Sequence, residues 1–293
     1  MDEQKTTGTL YIVATPIGNS RDMSERGREI LSTADIIAAE DTRRSVVLLN
    51  KLGIRGNSLS ANHKFNEYGK AKWFIEQLAS GKDIAVITDA GTPCISDPGN
   101  ELIKAAVEEG IRVVGVPGCC AAVNALAISG FDLSSFLFYG FFPRENADRR
   151  KLLEKMRGAD TRTFAFYESP KRIMELVDFL VESEAKLRLC LCNDMTKLHE
   201  MSFRGTPAQV KEQLLAKGNY DKGEYAIVAE VEPEYQFTKV EHTVSAEAML
   251  VDAMISGGVS GRDAIAAVLA DPNNSYSKNE LKAAALNLKR MFE

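Results

Sequence analysis

Four unbroken apolar runs, LYIVA (10–14), DIIAA (35–39), DIAVITD (83–89) and IRVVGV (111–116), recur in the first part of the chain with helical patterns between them. A strand with one wet face alternates apolar and polar residues. A strand covered on both faces does not, so continuous runs mark a parallel sheet packed between helices. The segments between them read as helices. DMSERGREILSTAD has Met23, Ile30 and Leu31 at helical spacing, TRRSVVLLNKLG closes on Gly53, NEYGKAKWFIEQLASG ends on a glycine, and NELIKAAVEEG follows SDPG. This alternation predicts an open, doubly wound α/β domain over residues 1–117.

Pro117-Gly118 breaks the pattern and is the expected joint to a second domain, 118–237. There FLFYGFF, TRTFAFYES, KLRLCLCND, HEMSFRG and EYAIVAEV read as strands, with helices near 146–157, 170–183 and 207–217. The strand candidates 186–194 and 198–205 follow each other closely, so this sheet is expected to be mixed. EPEYQFTKVEHTV (232–244) reads as a linker. Residues 238–293 carry three helical patterns, with Ser260 and Ser277 as N-caps, and suggest a small helix-turn-helix-like module.

Composition removes several function classes. The net charge of −5 argues against a uniformly basic surface, though not against a local basic patch. The polar N-terminus lacks a basic stretch followed by an apolar one, and no apolar run approaches the ~18 residues of a membrane span, so neither export nor membrane insertion is expected. The cysteines, Cys94, Cys119, Cys120, Cys190 and Cys192, are five in number. An odd count in a chain of this size fits a reducing cytoplasm, and no second pair at ligand spacing joins Cys190 and Cys192 to hold zinc.

Ligands of open α/β sheets bind beyond the carboxyl ends of the strands. Here those ends carry TPIGN, EDTR, DAGTPCISDPG and PGCCAA. The third is long for a strand-to-helix loop, where roughly 2–6 residues is usual. Its glycines allow close backbone approach by a ligand and its prolines stiffen it. No nucleotide-triphosphate loop, dinucleotide fingerprint or hydrolase elbow occurs. His63, His199 and His242 are scattered and give no support to a metal centre or a His-based triad. What fits is transfer of an already activated group, where the protein aligns donor and acceptor.

LYIVATPIGN, AAEDTR, TDAGTPCISDPG, the VPG joint, FYESPKR and TKLHE stand in one order. On these motifs the chain resembles the bacterial 16S rRNA (cytidine-2′-O)-methyltransferases of the tetrapyrrole methylase superfamily, over about residues 9–231, and its tail resembles their C-terminal helical module. The resemblance implies two α/β domains enclosing a cleft that holds folded S-adenosylmethionine. It implies methyl transfer to the ribose 2′-hydroxyl of a cytidine in the decoding region of the 30S subunit, by a homodimer. By analogy the cofactor meets Pro16, Gly18, Asp89, Ala90, Gly91, Thr92, Pro93, Ile95, Cys119, Cys120, Ala121 and Tyr167, with the adenine near the second sheet. A base or orienting cation could be Glu40, Asp41, Asp89, Glu168 or Lys197, and the residues do not choose among them. Expected RNA contacts are Arg43, Arg149, Arg150, Lys171 and Arg172. Residues 144–172 hold nine lysines and arginines against five acids, a local balance of +4. That suits phosphate contact, or equally a solvated helix face.

Two positions depart from the family pattern. Asn193-Asp194 stand where Arg-Glu is usual, and Cys119-Cys120 where Pro-Ser is frequent, so a guanidinium and a hydroxyl are lost. Two other functions share much of this pattern: a methyltransferase acting on a tetrapyrrole or other small molecule, and a non-catalytic RNA-binding protein with a degenerate cofactor pocket. The basic stretch and the helical tail favour RNA over a porphyrinoid.

Overall fold

The computed structural model describes residues 7–62, 67–236, 244–271, 274 and 276–292. The chain divides into two compact units, 1–236 and 237–293. The first unit opens with β1 (Leu10–Val13), α1 (Glu25–Thr33), β2 (Ile36–Ala39), α2 (Thr42–Lys51), β3 (Ser58–Ala61), α3 (Glu67–Ala79), β4 (Ile84–Ile87), α4 (Asn100–Glu108) and β5 (Val113–Val116). The strands are parallel in the order β3-β2-β4-β1-β5. Successive side chains leave a strand on opposite faces, and each face has its own helices. Ile37, Ala39, Ala85 and Ile87 pack under Leu31 of α1 and Leu49 of α2. Ile36, Ala38, Ile84 and Val86 pack under Phe74 and Leu78 of α3 and Leu102 of α4. The chain moves one way along the sheet through β2 and β3, then returns through β4 to β5. The crevice at that reversal is where an α/β sheet offers a ligand site.

Beyond Pro117 come α5 (Ala121–Ser129), β6 (Phe136–Phe141), α6 (Asn146–Arg157), β7 (Thr163–Glu168), α7 (Ile173–Glu182), β8 (Leu187–Asn193), β9 (Met201–Gly205), α8 (Pro207–Lys217) and β10 (Tyr225–Val231). The second sheet has the order β6-β7-β10-β8-β9. Only β6 and β7 run parallel, so the sheet is mixed. Phe164, Phe166, Leu189, Leu191 and Ile227 meet α6, α7 and α8 on one face. On the other, the small side chains Ala165, Cys190, Cys192 and Ala226 let α5 lie close. The thiols of Cys190 and Cys192 are buried 3.8 Å apart in that layer and belong to the packing. Among the described residues no cluster of possible metal ligands occurs, and no helix is long and apolar enough to cross a membrane.

The second unit contains α9 (Ala246–Gly257), α10 (Gly261–Ala270) and α11 (Lys278–Phe292), closed around Leu250, Ala264, Val268 and Leu281. Ser277 caps α11 reciprocally: Glu280 N donates to its hydroxyl at 3.3 Å and its own N donates to Glu280 Oε2 at 2.7 Å. Ser260 stands at the cap position of α10, but its hydroxyl donates to Asp263 Oδ2 at 2.7 Å instead of capping a backbone amide.

Two expectations change. Residues 58–61 form the parallel edge strand β3, which the apolar-run criterion misses because only Ser60 of SLSA is buried. Arg149 is not a surface cation available to RNA, because its side chain is 1% exposed. It donates to Pro143 O at 2.9 Å and Asn146 Oδ1 at 3.2 Å, pairs with Glu175 at 2.9 Å and stacks on Phe179. It locks α6 to α7.

Candidate active site

The loop after β4 is pinned to the end of β1. Thr15 N donates to Gly91 O at 2.8 Å, Gly91 N donates back to Thr15 O at 3.0 Å, and the Thr15 hydroxyl reaches Thr88 O at 3.1 Å. Gly91 has φ +87°, a left-handed value that favours glycine. Further along, Cys94 (φ 71°) and Ser96 (φ 70°) hold left-handed conformations unusual for residues with a Cβ. Such strain persists only where the surroundings fix it, and it concentrates at functional sites. Thr92 donates its hydroxyl to Cys119 O at 2.9 Å, tying the loop to the start of α5.

This loop floors a cavity of about 520 Å³ between the two sheets. Ile17, Glu40 and Thr88–Thr92 come from the strand ends of the first sheet, Arg44 from α2, Ile95–Asp97 from the loop after β4, and Cys120 and Ala121 from the start of α5. Across from them stand Phe141, Tyr167–Pro170, Met195 and Glu224–Ala226. One wall thus carries three carboxylates and Arg44, and the other sets aromatic and apolar side chains beside Glu168 and Glu224.

The acidic wall is built around one hydroxyl. Thr88 Oγ1 donates to Glu40 Oε2 at 2.6 Å, and Asp89 N donates to the same oxygen at 3.2 Å. Asp89 Oδ2 pairs with Arg44 at 2.8 Å, while its Oδ1 is buried with no hydrogen-bond partner among the described residues. Burial first, then the charge of Glu40, pushes the Asp89 carboxyl up against the pull of Arg44. Asp97 goes further, to about 6, for the same two reasons plus the charge of Asp89, with a hydrogen bond to Thr88 opposing.

Of the expected cofactor residues, Asp89, Ala90, Gly91, Thr92, Ile95, Cys120, Ala121 and Tyr167 line the cavity. Pro16, Gly18, Pro93 and Cys119 do not. Pro16 and Gly18 flank Ile17, and Gly18 abuts the Asp194–Lys197 loop, where a Cβ would come within 2.7 Å of Lys197 Cγ. Pro93 is buried. Cys119 donates its thiol to Asp22 O at 3.6 Å, and its carbonyl anchors Thr92. Tyr167 accepts from Ala122 N at 3.2 Å, and burial raises its phenol.

Two expected bases drop out. Asp41 caps α2 through Arg43 N at 2.9 Å and binds the Arg43 side chain at 2.7 Å, which lowers its carboxyl to about 2. Lys197 pairs with Asp194 and Glu224, each at 2.7 Å. Burial alone would lower its ammonium, but these two acids outweigh it and raise it. Neither residue lines the cavity. Glu40 and Glu168 do; Ser169 N at 2.6 Å and Arg172 both meet Glu168 Oε1, while its Oε2 is buried with no hydrogen-bond partner among the described residues. That pair leaves Arg172 largely buried, whereas Arg43, Arg150 and Lys171 are exposed. His199 is exposed; His63 and His242 lie outside the described residues.

Asp97 and Arg44 escape the sequence reading. Asp97 sits inside the quoted ISDPG, where it looks like one more turn acid. Its signal was that it is a second acid in a loop already suspected of ligand contact, and only the fold of that loop shows it facing Glu40. Arg44 reads as an ordinary helix residue beside Arg43.

The model of the tetrapyrrole (corrin/porphyrin) methylases matches residues 9–211, and the chain belongs to that family. Ribosomal RNA small subunit methyltransferase I of Haemophilus influenzae is 43% identical over 229 residues, covering 78% of this chain and 80% of that protein. The protein of the same name from Halalkalibacterium halodurans is 38% identical over 273 residues, 90% of each. Among solved structures, uroporphyrin-III C-methyl transferase from Thermus thermophilus, complexed with S-adenyl homocysteine, is 13% identical with a TM-score of 0.51, over 76% of this chain and 97% of that one. This last likeness is one of fold.

Proposed function

We propose that the protein is a methyltransferase that uses S-adenosylmethionine to methylate small-subunit ribosomal RNA, at the ribose 2′-hydroxyl of a cytidine in the decoding region. The observation that carries the reading is the cavity at the strand ends, with three carboxylates on one wall and, on the other, aromatic and apolar side chains beside Glu168 and Glu224. The cofactor supplies, when bound, a methyl group already activated on a cationic sulfonium. The residues present fit it. Asp89 offers an unpartnered buried oxygen to a polar or cationic group. The first turn of α5, at Cys120 and Ala121, suits a carboxylate. Ile17, Ile95, Met195, Tyr167 and Ala226 give an adenine an apolar slot. With donor and acceptor aligned, little else is required of the protein than exclusion of water and a place for one proton.

The relatives' names direct the acceptor toward small-subunit ribosomal RNA. Purified protein with methyl-labelled S-adenosylmethionine is expected to label small subunits from a strain lacking the gene. No label on subunits, with label on a porphyrinoid, would replace this reading with the small-molecule one.

RNA phosphates are to be met by exposed cations. Arg150 lies on α6 and Lys171 adjoins Pro170 of the cavity wall. The double substitution Arg150→Ala, Lys171→Ala is expected to weaken RNA binding at every sequence. It should also reduce the slope of log affinity against log salt by about 1 per lost contact. An unchanged slope would remove both residues from the interface.

The reading includes a homodimer that pairs through β6. Among the described residues β6 has a neighbour on one side only, and Phe136, Leu137 and Phe141 are exposed along it. An apolar edge of this kind invites another chain, here a second copy. Light scattering is expected to read about twice 32.2 kDa, and Leu137→Glu to return the mass to one chain; a monomeric wild type would refute the pairing.

A further inference from the structure

We propose that Asp97 takes the proton of the attacking ribose hydroxyl. The inference rests on the methyl-transfer reading above and assigns the one role that reading leaves open.

Three carboxylates share the acidic wall, and the geometry separates their tasks. Thr88 has a single hydroxyl proton, and at 2.6 Å it goes to Glu40 Oε2, which also accepts Asp89 N. Glu40 therefore staples the end of β2 to the end of β4. Asp89 has Arg44 on one oxygen. Asp97 shares the Thr88 hydroxyl with Glu40, so it gains little from a proton already committed. The charged groups that face it are Glu40 from the end of β2 and Asp89 from the end of β4, both acids. Arg44 of α2 is engaged on Asp89, and Tyr167 of β7 is neutral below its raised range. With Glu168 beside Arg172 and Glu224 beside Lys197 across the cavity, Asp97 is the carboxylate of this wall with the least compensation for its charge and the most to gain from a proton.

Its carboxyl, at about 6, is ionised in the cytoplasm yet two orders more basic than an ordinary aspartate. A general base is most useful when its pKa lies near the working pH. In the step, the O–H bond of the ribose breaks and its proton goes to an Asp97 oxygen. The hydroxyl oxygen spends the released pair on a bond to the methyl carbon, and the carbon–sulfur pair leaves with sulfur as a neutral thioether. The proton then passes to solvent.

Asp97→Asn keeps the shape and removes the base. Single-turnover methylation of small subunits is expected to fall about 10²- to 10⁴-fold. In wild type, log rate should rise with pH and level off above about 6; in the variant that rise should vanish. Two readouts do not depend on turnover. Carbon NMR of aspartate-labelled protein should show one carboxyl titrating near 6 that is missing from the variant, and titration calorimetry with S-adenosylhomocysteine should give affinities within about threefold of each other. The proposal is overturned if the variant keeps the rate or the pH limb, if no carboxyl titrates near 6, or if rate and cofactor affinity fall by the same factor, which would make Asp97 a cofactor-holding group. A wild type inactive on subunits would instead remove the methyl-transfer reading itself.

Discussion

Asp89→Ala is expected to weaken S-adenosylhomocysteine binding by about 10- to 100-fold, the loss of one charged hydrogen bond of about 1.5–3 kcal/mol. The carboxylate stands at the end of β4 with Oδ1 buried and unpartnered in the cavity wall. A buried acceptor with no donor among the described residues is one a ligand can satisfy. Stability should move the other way. The folded carboxyl is raised, so at neutral pH the native state carries a charge it would rather neutralise. That penalty is absent below the ordinary aspartate range and sets in as pH rises through the folded one. Alanine removes it, so at neutral pH the melting temperature should hold or rise while calorimetry records the lost affinity. Unchanged affinity would take Asp89 out of the cofactor site.

Arg149→Ala should act on the fold and not on the RNA. The guanidinium is buried against Pro143 O, Asn146, Glu175 and the ring of Phe179. Its removal leaves a carbonyl and an amide without donors and an arginine-sized gap between α6 and α7. A loss of about 3 kcal/mol is expected, since breaking a buried pair costs about 3–5 and Glu175 is itself half exposed. For a unit of this size that is roughly 6–12 °C of melting temperature. The salt slope of RNA binding should stay as in wild type. A variant of normal stability with a reduced slope would return Arg149 to the RNA surface.

Arg149 also shows where sequence reading stops. Charge composition placed it in a basic stretch with Arg150 and Lys171, but helical periodicity turns position 149 inward, beside Leu152, Leu153 and Met156 on the buried face of α6. The central strands were legible because burial on both faces leaves continuous apolar runs in β2 and β4. Edge strand β3 was not, because a strand with one neighbour can be SLSA. The loop DAGTPCISDPG could be singled out by its length and residue types. What could not be read is how the loop, tied at Thr88, Gly91 and Thr92 to the ends of β2 and β1 and to the start of α5 and turning left-handed at Cys94 and Ser96, brings Asp97 into the same cavity lining as Glu40. The Asn193-Asp194 departure is compensated locally. Asn193 donates to Glu224 O at 3.3 Å and engages Lys217, and Asp194 holds Lys197, so the loop closing the cavity near Met195 keeps its supports.

The most direct test follows the labelled methyl group into the RNA. Small subunits methylated by the purified protein are hydrolysed in alkali and the products separated by charge. A methylated 2′-oxygen cannot attack the neighbouring phosphate, so the label should emerge in an alkali-resistant dinucleotide with cytidine on its 5′ side. Label in mononucleotides would put the methyl on a base and contradict transfer to the ribose.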